Sequence, residues 1–286
     1  MTSLNETPFN PKNELLQIET IKNILNLHNM TKDPINVSIY RKALLHKSYC
    51  TRKNENFISG NVDCPNNCLP LQEESNERLE FLGDAVLSLV IADYLFERYP
   101  SVNEGFLTIM RTRLVNGNML AFLSKKLDLG KHIIISKQIE SNNGRSNVKI
   151  LEDSFEALIG AIYIDFNSYH EIEFKKMSTL QTSGTGFQIV REFIIDIIET
   201  YVDFSELVNQ QVNPKDKLIK NCQHNFQWIP KLLELDITEK DNTKIHTICI
   251  KNPNNEIIST GKGKNRKTAE INASLRALEY YGWDKS

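Results

Sequence analysis

The sequence predicts two domains of different class: an all-α domain over about 190 residues, then a small α+β domain of order α-β-β-β-α. Three observations carry this. Apolar residues recur at helical spacing in segment after segment up to Phe204, and almost nothing there alternates as a strand would. After Asn213-Pro214 the texture changes to β-prone runs flanked by two helical patterns. The charge divides at the same place. Residues Pro214–Ser286 hold 13 Lys+Arg against 9 Asp+Glu, so within an overall charge of -2 the first part carries -6 and the last part +4. An acidic body joined to a basic module suits metal binding in one and nucleic-acid holding in the other.

The elements follow in order. Residues 1–15 read as a polar, disordered lead. From Glu14 to His28 the residues Leu15, Ile18, Ile21, Ile24 and Leu25 mark one helical face. A second helical stretch runs from Ser38 to Tyr49. Thr51 to Glu74 is an Asn-rich insert containing Gly60, Pro65 and Pro70, read as a surface loop. A long helix begins at Asn76 and runs to Tyr99, where Pro100 stops it. Further helical patterns cover Phe106 to Leu114, Asn118 to Leu127, Leu151 to Ile164 and Phe187 to Phe204, with a polar loop at 141–144. The first domain is therefore bounded at 16–204, with the insert at 51–74. Residues 205–212 read as a linker and 213–286 as the second domain. In the latter, Lys215 to Asn225 fits a helix. Lys231 to Ile237 alternates apolar Leu233, Leu235 and Ile237 with acidic residues. Two more strands, Ile245 to Lys251 and Glu256 to Thr260, flank the turn Asn252-Pro253-Asn254-Asn255, and a helix runs from Asn265 to Tyr281.

Composition excludes several classes. The five cysteines, Cys50, Cys64, Cys68, Cys222 and Cys249, are odd in number and scattered, which argues for a cytoplasmic or other reducing compartment over a disulfide scaffold. Cys50, Cys64 and Cys68 make a poor zinc set, with no fourth partner nearby. No signal or transit pattern is visible. The most apolar run, Ala85 to Phe96, is broken by Ser88 and Asp93 and falls short of the ~20 residues a bilayer span needs. No membrane role is expected.

The most informative run is Asn76-Glu77-Arg78-Leu79-Glu80-Phe81-Leu82-Gly83-Asp84. Glu77, Glu80 and Asp84 stand at i, i+3 and i+7, on one helix face. Asp153 and Glu156 stand at i, i+3 on the later helix, followed by Ala157, Gly160 and Ala161, whose small size permits close helix approach. A contact between Gly83 and Gly160 would bring four carboxylates together. Clustered carboxylates cannot all ionise without compensating positive charge, which a hard divalent cation supplies. Two such ions can activate a water and stabilise the leaving oxygen of a phosphodiester. On spacing alone, solvated helix acids paired with Arg78 or Arg113 are the favoured reading, since such spacing is common on helices.

The run NERLEFLGDAVLSL resembles the signature of the ribonuclease III family. The similarity extends to Ala43-Leu44-Leu45-His46-Lys47-Ser48, to the block from Glu104-Gly105 through Leu114-Val115, and to the second acidic motif, Leu151 to Ala161. It covers most of residues 36–166. It implies an all-α nuclease domain that works as a homodimer on double-stranded RNA. The implied cofactor is Mg²⁺, with Mn²⁺ as a substitute, and the implied products are staggered, with 5′-phosphate and 3′-hydroxyl ends. It further implies that Glu80, Asp84, Asp153 and Glu156 are the metal-binding and catalytic acids. Glu77 and Glu104 become supporting acids, Phe81 an aromatic packed into the partner subunit, and His46 a structural residue. The 51–74 insert and a second one near 171–186 depart from the family pattern.

Gly261-Lys262-Gly263-Lys264-Asn265-Arg266-Lys267-Thr268-Ala269-Glu270 resembles the last motif of double-stranded RNA-binding domains. Asn265 is a good N-cap, and a helix N-terminus with neighbouring cations attracts phosphate. Lys264, Asn265, Arg266 and Lys267 are the candidate RNA contacts. Taken without the domain, this is a solvated basic turn or a nuclear-import patch. Glu270 departs from the usual basic pattern, as do Ile219 and Lys220 in the preceding helix and 240–243 in the first loop. Duplex cleavage is the reading favoured, because all four acids are present. The rivals are a protein that binds duplex RNA without cutting it and a partner-bound scaffold.

Overall fold

The computed structural model describes residues 7–28, 32–51, 63–174, 185–209, 214–240 and 243–283, with side chains at all but 168–174, 209, 240 and 243 of these. Two compact units emerge, Met1–Val208 and Asn209–Ser286. Among the described residues no helix is long and apolar enough to cross a membrane.

The first unit is helical. α1 (Ile18–Asn26) and α2 (Val37–Ala43) precede the long α3 (Glu77–Arg98). Next come α4 (Glu104–Leu114), α5 (Gly117–Lys126) and the short α6 (Lys137–Ser141). α7 (Val148–Phe174), α8 (Thr185–Tyr201) and α9 (Phe204–Asn209) complete it. α7 is the central helix: Phe155, Ala157, Ile159, Ala161, Ile162 and Phe166 are wholly buried, so it is apolar on nearly every side. It packs along α3 with backbones close together. A Cβ on Gly83 would run into the carbonyl oxygen of Glu156 and stand 2.9 Å from the Gly160 nitrogen. One on Gly160 would stand 3.3 Å from the Gly83 nitrogen and closer still to the Leu79 carbonyl oxygen. Only glycine fits at either position.

Several expectations are corrected here. The lead is not free from residue 8 onward: Asn10 and Asn13 are buried and donate to the Ile135 carbonyl at 3.1 and 2.9 Å, with Phe9 buried beside them. Polar composition misled because these two amides satisfy a backbone edge, where apolar packing was not required. The helix expected from Ser38 to Tyr49 stops at Ala43, where the Leu45 and Ile134 backbones pair in a short parallel bridge and Lys47–Tyr49 forms a separate 3-10 turn. The first half of the expected linker is α9, pinned by buried Leu207 and by the Arg113 guanidinium, which donates to the Leu207 carbonyl at 2.6 Å. The second expected insert begins inside α7 and ends inside α8; its centre, 175–184, lies outside the described residues, as do 52–62 of the first. Of that first insert, Leu69 and Leu71 pack against Leu45, Tyr49 and Ile134.

The second unit has order α-β-β-β-α: α10 (Pro214–Phe226), β1 (Lys231–Lys240), β2 (Thr243–Lys251), β3 (Ile257–Gly263) and α11 (Arg266–Tyr280). The strands form an antiparallel sheet in sequence order. Its core joins Leu218 and Cys222 of α10, Ile248 and Ile250 of β2, and the alanine face of α11. The alternating apolar set of β1 does not supply that core, since Leu233, Leu235 and Ile237 are between 43% and 50% exposed.

The glycine contact gives the first prediction. Overpacking a close-packed interior costs about 1–3 kcal/mol, which lowers Tm by some 2–4 °C per kcal/mol in a chain of this size. Gly160→Ala is expected to lower Tm by at least several degrees. Gly105→Ala, whose Cβ would meet only the Asn103 side chain at 3.4 Å, is expected to leave it nearly unchanged. Equal melting curves for the two variants in calorimetry would contradict the close approach.

Candidate active site

Two helices build the site. Glu80 lies in the first turn of α3, where an acid is favoured by the helix dipole. That start is fixed by buried Asn76, whose backbone N–H donates to the Leu45 carbonyl at 2.9 Å and whose side chain donates to the Ala43 carbonyl at 3.2 Å. Asp153 and Glu156 lie one turn apart on α7, directly across the glycine contact. Glu80, Asp153 and Glu156 each offer a carboxylate oxygen, and these three oxygens lie within 4.8 Å of one another. Asp84, one turn beyond Glu80, is exposed and stands outside that trio, but its charge reaches Glu156.

The electrostatics follow from burial. Glu156 is 7% exposed because it projects from the central helix. Desolvation, reinforced by Asp84 and Glu152, pushes its carboxyl up to about 8. Glu80 is also raised, first by burial and then by Asp153. Lys149 is the cation on the spot. Its ammonium lies 2.8 Å from Asp153, 3.4 Å from Glu152 and 3.9 Å from Glu80, and Asp153 and then Glu152 raise it above the ordinary lysine value. One ammonium cannot balance Glu80, Asp84, Glu152, Asp153 and Glu156 together. A set of oxygen donors short of positive charge fits a hard divalent ion.

The remaining expected residues are placed apart from this cluster. Glu77 is exposed, paired with Lys47 at 3.1 Å and Ser75 at 3.0 Å, and these bonds hold its carboxyl below the usual range. Glu104 starts α4 and accepts from Thr108. His46 caps the Lys47–Tyr49 turn, its Nδ1 accepting from the Ser48 N–H, which is a structural task. Phe81 is 81% exposed, so it is no part of this chain's own core. Lys149 and Glu152 escaped the sequence reading. Their signal was the i, i+4 pairing of Lys149 with Asp153 and the extra acid beside it.

In the second unit Asn265 caps α11, its side chain accepting from the Thr268 N–H at 2.9 Å. Gly263 lets β3 run against that end, since a Cβ there would stand 2.5 Å from the Ala269 nitrogen. Lys264, Asn265, Arg266 and Lys267 are all exposed around it. Glu270, the departure from the basic pattern, has a local use: it bridges Lys215 of α10 at 2.6 Å and Arg266 at 3.1 Å, tying the two helices.

Both units match known families in sequence. The profile of the family described as Ribonuclease-III-like matches residues 36–180, and that of the double-stranded RNA binding motif matches 214–281. The chain is 34% identical over 276 residues to "Probable ribonuclease 3" of Acanthamoeba polyphaga mimivirus, covering 96% of this chain but 47% of that relative. It therefore spans about half of that protein. It is 31% identical to "Ribonuclease 3" of Borreliella afzelii (strain PKo), covering 88% of this chain and 89% of the relative. The solved nuclease domain of ribonuclease III from Campylobacter jejuni is 29% identical, with TM-score 0.46, covering 65% of this chain and 97% of that one. Two acidic helices locked by a glycine contact, followed by an α-β-β-β-α unit with a capped basic turn, thus coincide with both profiles in order, and the chain belongs to the ribonuclease III family.

Proposed function

We propose that this protein binds double-stranded RNA and hydrolyses phosphodiester bonds in both strands, using Mg²⁺ with Mn²⁺ as a substitute, and leaves staggered ends bearing 5′-phosphate and 3′-hydroxyl groups. The observation that carries this reading is the convergence of Glu80, Asp153 and Glu156, beside Asp84, at the closest approach of α3 and α7. Glu80, Asp153 and Glu156 would hold the ion, with Asp84 adding negative charge beside it. A bound divalent ion supplies a water of lowered pKa and neutralises charge at the phosphate. Desolvated Glu156 keeps its proton near neutral pH when no ion is present, and gives it up as a ligand. The second unit would hold the duplex by phosphate and 2′-hydroxyl contacts that read A-form shape with little sequence preference.

The working form is proposed to be a homodimer joined through α3. Phe81, Ala85, Leu89 and Phe96 recur along one side of that helix and are exposed, Phe81 by 81%, Leu89 by 56% and Phe96 by 72%. An apolar stripe of this kind marks an interaction surface. It begins beside Glu80, so a partner there would border the acidic site.

Catalysis by the acids predicts that Glu156→Gln lowers cleavage of long duplex RNA by orders of magnitude while duplex binding survives; normal cleavage would reject the site, and no Mg²⁺-dependent cleavage by wild type would favour binding alone. The raised Glu156 carboxyl adds a pH signature. Between about pH 4.5 and 8 the metal-free fold binds a proton that the unfolded chain has released. Metal-free stability should therefore fall as pH rises through that window, while Mg²⁺ affinity climbs by up to about tenfold per unit and levels off above it. Calorimetry across pH, with Glu156→Gln losing both trends, checks this.

For assembly, Phe81→Glu is expected to give a folded monomer by light scattering at micromolar concentration, with cleavage strongly reduced; an intact, active dimer would exclude the α3 surface. For duplex binding, replacing Arg266 and Lys267 by Ala should weaken binding alike on all duplex sequences and flatten the salt dependence by roughly one unit of slope per lost contact. Cleavage at saturating RNA and low salt should persist. An unchanged slope would show that this turn does not touch phosphate.

A further inference from the structure

We propose that Glu152 is a positioning residue: it gives the Lys149 ammonium a seat beside the ligand acids, and so lets the ion and this cation occupy the site together. The inference rests on the metal reading above. Lys149 contacts three acids, and two of them, Asp153 at 2.8 Å and Glu80 at 3.9 Å, belong to the trio of converging oxygens. A divalent ion held by that trio competes with the ammonium for the same oxygens and repels it. Glu152, at 3.4 Å, is the third contact and lies outside the trio.

Glu152 is built to stay where it is. Its side chain is 20% exposed, whereas that of Lys149 is 64% exposed. The Glu152 carboxyl group lies against Gly117, the first residue of α5, where a Cβ would stand 2.8–3.0 Å from its atoms. The absence of a side chain at 117 makes the room, and the start of a helix favours an anion. Lys149 reaches Asp153 at i, i+4 and Glu152 at i, i+3 on the same helix, so passing between them needs a rotamer change and no backbone movement. Retained there, the ammonium keeps a positive charge at the edge of the site for an incoming phosphate. Without Glu152, its remaining ion pairs among the described residues are with ligand oxygens.

The test is a double-mutant cycle on metal binding, read by isothermal calorimetry with Mn²⁺ on the full-length, RNA-free protein. Glu152→Gln keeps the shape against Gly117, so melting should change little. In the Lys149 background it should weaken Mn²⁺ binding about tenfold, because the ammonium then stays on Asp153 and Glu80. Lys149→Met should bind Mn²⁺ at least as tightly as wild type. In that background Glu152→Gln should cost less than about twofold. An equal loss in both backgrounds would mean that Glu152 acts on the ion directly, and no loss in either would mean that it only packs; both overturn the inference. If wild type itself binds no Mn²⁺, the metal reading fails instead.

Discussion

The distance between α3 and α7 governs this site. Gly83 and Gly160 let two helix backbones come so near that neither glycine has room for a methyl group of its own against the facing helix. Side chains one turn away on either helix are then forced into a common space. Glu80 from α3 and Asp153 and Glu156 from α7 occupy it, and their oxygens fall within 4.8 Å of one another. Any larger residue at the contact would separate the helices and dissolve the cluster before it altered a single carboxylate. The packing of the first unit and its chemistry are therefore one constraint.

That constraint has an electrostatic cost. Glu156 projects from a helix whose described residues are largely buried, and burial disfavours its ionised form. Like charges across the contact add to the penalty, and Lys149 relieves part of it by reaching Glu80, Glu152 and Asp153 at once. The surrounding fold offsets the remainder through a large apolar core built around α7. Such a site is unfavourable while empty of positive charge and is stabilised by whatever supplies it. This is why the same residues that weaken the helix pair electrostatically are the ones suited to gather a cation.

The second unit solves a different problem with smaller means. Its helices meet through alanines and its sheet approaches α11 through Gly261 and Gly263, so little volume is needed to seal the core. Glu270 departs from the basic pattern of the turn and ties α10 to α11 through Lys215 and Arg266. Lys264 and Lys267 remain exposed at the N-terminus of α11.

Much of this was written in the sequence. Helical spacing located α3, α4, α5 and α8 to within a few residues, because each shows an apolar face to one core. The i, i+3 and i+7 spacing put Glu77, Glu80 and Asp84 on one face, and the small residues after Glu156 pointed to a close helix contact. Periodicity is a property of one element, so it could not say which acids would meet. Tertiary packing decided that Glu80 joins the α7 pair, that Glu77 turns away to Lys47, and that Asp84 stays at the margin. It also decided that Leu233, Leu235 and Ile237 face outward, since alternation defines two faces of a strand without saying which one the helices cover. The pairing of Lys149 with Asp153 lies within one helix, but that Lys149 also reaches Glu80 and that Glu152 lies against Gly117 was decided only when α3 and α5 came against α7. A charge acquires its role from the groups across the interface, and those lie far away along the chain.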